Sequence, residues 1–156
     1  MQGDDSDRPQ IAAFPPLIFA GALGLGGLLD VLIPIRFTPR AYSAPFGLFF
    51  IGCGLGFAGL ALWEMFRSKT PVDPRRPTSS LVTTGVFKVS RNPIYLGMVL
   101  FCLGVSFLIH SLWFMALAAA LAAVLQKGVI LPEESYLERK FGNPYREYKA
   151  NVRRWL

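Results

Sequence analysis

Histidine and cysteine are almost missing from this chain: one His and two Cys stand among 156 residues. No CxxC or HExxH spacing gathers them into a metal site, so no metal is expected. Cys53 and Cys102 fall in the middle of apolar runs, where a thiol behaves as a small hydrophobe without a disulfide partner. The GxGxxG spacing falls only inside an apolar run, Gly54 to Gly59, and forms no loop between polar segments, which argues against a dinucleotide fold. The opening MQGDDSDRPQ lacks the basic start of a cleaved signal peptide, so the first apolar run is expected to be retained.

What the chain has in quantity is hydrophobicity. Apolar residues make up 53% of it and the mean hydropathy is +0.41, a combination that argues for a membrane protein. The pattern predicts an all-α membrane protein with about four transmembrane helices, over 11–35, 45–66, 93–109 and 112–131. Spans three and four form a tight hairpin at His110-Ser111. Because these two are short or interrupted by Gln126 and Lys127, a soluble helical hairpin is the competing reading.

The polar segments divide the chain further. A connector over 67–92 carries three prolines and one glycine, which argue against a helix, and its length suggests a task. Residues 132–156 read as a C-terminal cap: Tyr136, Leu137 and Phe141 lie on one helical face, Gly142 to Pro144 break it, and a second helix follows over Pro144–Val152. The domain is single, 1–156.

Sixteen basic residues oppose ten acids, and their placement is uneven. They cluster in the connector and from Lys127 onward, while the first loop offers Arg36 and Arg40 alone. By the positive-inside rule both termini and the connector face the cytoplasm. Interleaved with acids at predicted membrane edges, this charge suits lipid headgroups rather than nucleic acid. The runs GALGLGG and GCGLGFAG read as helix-packing surfaces, Asp30 as an interface acid, and Glu64 as either an interface acid or a site residue.

Two helix starts carry candidate chemistry. SRNPIYLG, Ser90 to Gly97, places Arg91 and Asn92 before Pro93 at the mouth of span three, where unpaired N–H groups and a positive dipole end favour a carboxylate or phosphate. PEE, Pro132 to Glu134, opens the cap at the same membrane face. The two glutamates differ by ~100° about the helix, so at most one is expected to face a shared pocket. Each stretch also reads as ordinary capping. Tyr95, Tyr145, Tyr148 and Trp155 supply aromatic faces, which favour a sulfonium.

The series TTGVFKVSRNPIYLGM, then a hairpin, then PEESYLERKFGNPYREYKANVRRWL, resembles the isoprenylcysteine carboxyl methyltransferase and phospholipid methyltransferase group of integral membrane enzymes. The resemblance implies an S-adenosyl-L-methionine-dependent methyltransferase acting on a lipophilic or lipid-like acceptor that enters from the bilayer. It carries the family's cofactor-binding strip onto Arg91, Asn92, Pro93, Tyr95 and Gly97, its acidic pair onto Glu133 and Glu134, and its closing elements onto Tyr145, Tyr148 and Arg154. Glu134 and Arg154 are then the residues assigned to catalysis. The isoprenylcysteine enzymes have His where this chain has Asn92, and a basic residue nearer the acidic pair than Lys127. The acceptor atom, oxygen, nitrogen or sulfur, stays open. A nicotinamide-dependent membrane reductase and a non-enzymatic helical partner protein are the alternatives.

Overall fold

The computed structural model describes residue 9, residues 11–37 and residues 40–156, with residues 40 and 41 by their backbone alone. The expectation for the opening decapeptide lies almost wholly outside the described residues. Helix α1 runs Pro15–Leu32, α2 Arg40–Arg67, α3 Pro93–Leu108, α4 Leu112–Leu125, α5 Leu131–Phe141 and α6 Asn143–Asn151. No strand occurs among the described residues beyond one isolated bridge between Arg36 and Ser111. Pro15 and Pro93 sit in the first turns of α1 and α3, where a missing N–H costs nothing. Helix α2 starts ahead of the expected Pro45, which it accommodates inside.

Three helical stretches are long and apolar enough to cross a bilayer: Pro15–Leu32, Tyr42–Arg67 and Leu112–Phe141. Helix α3, at 16 residues, is shorter. It spans ~24 Å at the usual rise per residue, less than the ~30 Å of a hydrocarbon core. Leu17, Val31, Phe49, Trp63 and Phe66 stand well exposed on α1 and α2, an apolar outer surface that suits lipid.

Helices α2 and α3 meet at glycines. A Cβ on Gly54 would lie 2.7 Å from the Gly97 carbonyl oxygen, and one on Gly104 would lie 2.8 Å from that of Gly47. Two pairs, one heptad apart on each helix, thus bring the backbones together, the device expected where lipid gives no hydrophobic drive to association. The glycine runs are not uniform packing surfaces: Gly26 meets the Phe114 ring, whereas a Cβ at Gly21, Gly24, Gly27, Gly52, Gly56 or Gly59 would meet nothing within 4 Å. Helix α3 then packs on α4 and α4 on α1, so the spatial order is α2, α3, α4, α1. Cys102, Phe114, Ala118, Leu121 and Leu125 form the centre of that core.

At the hairpin end, His110 adopts φ 60° and Ser106 donates to the Ser111 carbonyl at 2.9 Å, closing the α3–α4 turn. Arg36 pairs with Asp30 at 2.7 Å and donates to the Ile109 carbonyl at 3.0 Å, so Asp30 does lie at a helix end with a polar partner. Glu64, near the end of α2, accepts from Thr84 at 2.8 Å and holds the 3-10 turn Gly85–Lys88.

The fourth span does not stop at residue 131. The chain is helical from Leu112 through Phe141, with a π-turn at Gln126–Ile130 joining α4 to α5. Pro132 therefore starts no separate helix. It cannot donate to the Gly128 carbonyl in the α-helical ladder, and the Ala12 N–H takes that acceptor at 2.9 Å. Gly142, at φ 59°, makes the turn into α6.

Candidate active site

The connector carries no α-helix, yet it is anchored along its length. Thr70 gathers Ser79 and Ser80 through its hydroxyl, with Ser80 Oγ at 2.6 Å, and the Thr78 N–H donates to the Tyr136 hydroxyl at 3.2 Å. Folded back in this way, it covers the starts of α3 and α5. The cavity enclosed is lined by Arg91, Asn92, Pro93, Tyr95, Glu133, Glu134, Tyr145 and Tyr148, together with Phe87, Tyr136 and connector residues that include Thr78 and Ser80.

Glu134 is the centre of its charge. The residue is 5% exposed, and its carboxylate takes a two-pronged grip from Arg154, Nε to Oε1 at 3.0 Å and Nη2 to Oε2 at 2.8 Å. Arg91 Nη2 stands 3.2 Å from Oε1. Two guanidinium groups thus share one carboxylate. The Arg91 side chain is 8% exposed, yet its Nε and Nη1 have no partner. Buried polar groups are nearly always satisfied, so two unpaired donors on a residue of the cavity wall are candidate partners for an anion. Hydrogen bonding to Glu134 raises the Arg154 pKa above its ordinary value, so its charge is fixed.

The second glutamate points into the same cavity by another route. Tyr95 donates to Glu133 Oε2 at 2.8 Å. Both glutamates line the wall, against the expectation of one: Glu133 turns to Tyr95 of α3, and Glu134 to Arg91 of the connector and Arg154 of the final segment. Burial pushes the Tyr145 and Tyr148 hydroxyls above the ordinary phenol range, with Glu134 adding to the effect at Tyr145, so both stay protonated. Their rings meet edge to face at 6.2 Å, and Tyr148 donates to the Phe87 carbonyl at 2.7 Å.

Asn92 is the residue before α3, but its side chain caps nothing there. Its Nδ2 donates to the Arg154 carbonyl at 3.0 Å, which also accepts from Ser90, while the Arg91 N–H donates to the Arg153 carbonyl at 3.0 Å. Arg154 lies outside the lining and reaches the site through its grip on Glu134. Gly97 lies apart from the lining, against Gly54 of α2. Lys127 is exposed and Trp155 packs beside the α3–α4 core. Sequence reasoning did not place Phe87, Thr78 and Tyr136 at the site; the only signal was their place in a long connector and on the apolar face of the cap.

A family model for phospholipid methyltransferases matches residues 43–144, more than half of the chain. The chain belongs to the phospholipid methyltransferase family. The matched stretch holds α2 to α5 and therefore Arg91, Tyr95, Glu133 and Glu134, while Tyr145, Tyr148 and Arg154 lie beyond it. An uncharacterized protein of Haemophilus influenzae is 58% identical over 33 residues, which is 21% of this chain and 52% of that protein. The chain thus spans about half the length of this curated relative. No solved structure matches the chain. Membership in this family and the three apolar helices make it a membrane protein.

Proposed function

We propose that the protein catalyses S-adenosylmethionine-dependent methyl transfer to a lipophilic or lipid-like acceptor at the membrane. The observation that carries this reading is Arg91, sunk in the cavity wall with two guanidinium nitrogens open beside a carboxylate already engaged. The residues present fit the cofactor: Arg91 for its carboxylate, Glu133 for an ammonium or ribose hydroxyl, and the Phe87, Tyr145 and Tyr148 rings for its apolar and cationic parts. When bound, it supplies an electrophilic methyl group on sulfur.

The chain's own work is positioning and exclusion of water. Arg154 and Arg91 hold Glu134 as a fixed counter-charge, so Glu134 organises the wall. Glu133, which accepts from the Tyr95 hydroxyl and is not gripped by a guanidinium as Glu134 is, is the better placed carboxylate to take a proton from an amine acceptor. A carboxylate or thiolate acceptor arrives ionised and needs no base. The connector shields the site from water on one side, and the acceptor approaches from the bilayer on another. Four crossings, with both termini and the cavity on the cytoplasmic side, agree with the charge bias.

The test is transfer of labelled methyl from S-adenosylmethionine to a membrane lipid extract in the presence of the detergent-purified protein. Label that partitions with the organic phase, and is lost in Glu133→Ala, supports the reading. Label confined to water-soluble acceptors would refute the lipophilic acceptor.

A further inference from the structure

The indole of Trp155 works outside the cavity. Its ring packs against the core shared by α3 and α4, and its Nε1 donates to Gln126 Oε1 at 2.9 Å. Gln126 opens the π-turn of the continuous helix that carries Glu134 further along. A π-turn shifts the faces of the helix after it relative to those before, and such turns are frequent at functional sites.

The residues after α6 have left the helical ladder. The hydrogen bonds of Arg153 and Arg154 backbone carbonyls run to the connector, from Arg91, Ser90 and Asn92. The hydrogen bond of Trp155 runs instead to the helix that bears Glu134. It thereby ties the connector and final segment, which hold Arg91 and Arg154, to the carboxylate those two arginines share. Each group also needs the other, since an indole N–H and an amide oxygen in a partly buried apolar setting are costly to leave unpaired.

We infer that Trp155 is a positioning residue: through its bond to Gln126 it fixes the register of the final segment so that Arg154 grips Glu134. The binding arm of its test rests on the cofactor reading above; the arm on the ligand-free protein does not.

Trp155→Phe keeps a ring and deletes the donor, and Gln126→Met deletes the acceptor, so either can serve if the other fails to fold. In the ligand-free protein, nitrogen NMR of arginine side chains, with the Arg154 signal assigned through Arg154→Lys, reads the Nε–H on Glu134. Its exchange with solvent should quicken about tenfold in either variant; unchanged exchange would overturn the inference. Binding of S-adenosylhomocysteine is then measured for each variant alone and combined with Arg154→Lys. A residue acting through Arg154 should weaken binding about tenfold in the parent and less than about twofold beside Arg154→Lys. Equal losses in both backgrounds would show a merely structural role and overturn it. If the parent binds no S-adenosylhomocysteine, the cofactor reading falls, and the exchange measurement alone judges the inference.

Discussion

Gly97→Ala separates packing from ligand binding. A Cβ at this position lies 2.6 Å from the Gly54 carbonyl oxygen, 3.1 Å from Ala58 Cβ and 3.2 Å from the Ala58 nitrogen. A carbon and a carbonyl oxygen normally approach to ~3.3 Å, so α2 and α3 would have to part by ~0.7 Å at their nearest point. The obstacle is backbone, which has no rotamer to change. Overpacking of this kind costs ~1–3 kcal/mol, which lowers the melting temperature by roughly 2–12 °C in a chain of this size. Gly52→Ala is the control: nothing lies within 4 Å of its added carbon, and alanine is the better helix former by up to ~1 kcal/mol, so its melting temperature should hold or rise. Circular dichroism in detergent follows both, with S-adenosylhomocysteine affinity measured below the transition. A Gly97→Ala protein that melts with the parent yet loses affinity would refute the packing argument and put Gly97 in the ligand site.

Three other substitutions probe the site. Glu134→Gln leaves two guanidinium groups sharing one acceptor oxygen; loss of one charged hydrogen bond worth ~2 kcal/mol predicts about 30-fold weaker cofactor binding by calorimetry. Tyr148→Phe deletes the bond to the Phe87 carbonyl, worth ~1 kcal/mol, and should weaken cofactor binding about fivefold, with faster amide exchange across the Gly85–Lys88 turn. A Cβ at Gly56 would meet nothing within 4 Å, so Gly56→Trp projects from an open face of α2 and should impair methyl transfer to a lipid acceptor while cofactor affinity stays; equal loss of both would count against lateral access of the acceptor.

The helices were legible where the sequence punctuates them. Pro15 and Pro93 mark two starts, His110-Ser111 marks the hairpin, and Gly142 marks the turn into α6. Pro132 looked like a further such mark and was not. Its missing donor is masked by Ala12, a partner over a hundred positions away that no local pattern announces. The contact of α2 with α3 was hidden differently: Gly47 and Gly54 share α2 with other glycines, Gly97 and Gly104 are the two glycines of α3, and only the shared heptad spacing, read across both helices, picks the four out.

The site was legible as two short motifs. Arg91, Asn92, Tyr95, Glu133 and Glu134 fall on one wall because SRNP opens α3 while PEE lies far along the continuous helix that packs antiparallel to α3 after the hairpin. What stayed illegible was the pairing within it. Asn92 and Ser90 bind the backbone carbonyl of Arg154, and carbonyls carry no sequence signature. The angular argument for a single inward glutamate failed because it allowed the helix one polar partner, whereas Glu133 meets Tyr95 of α3 and Glu134 meets Arg91 and Arg154.

The central claim is that Arg91, held against Glu134 with nitrogens left open, receives the carboxylate of S-adenosylmethionine. The most direct measurement is calorimetric titration of the detergent-purified protein with S-adenosylmethionine and S-adenosylhomocysteine, beside Arg91→Ala of matching fold. The account predicts saturable one-site binding by the parent and at least ~30-fold weaker binding by the variant, the loss of one charged hydrogen bond. No binding by a folded parent, or equal binding by both proteins, would contradict it.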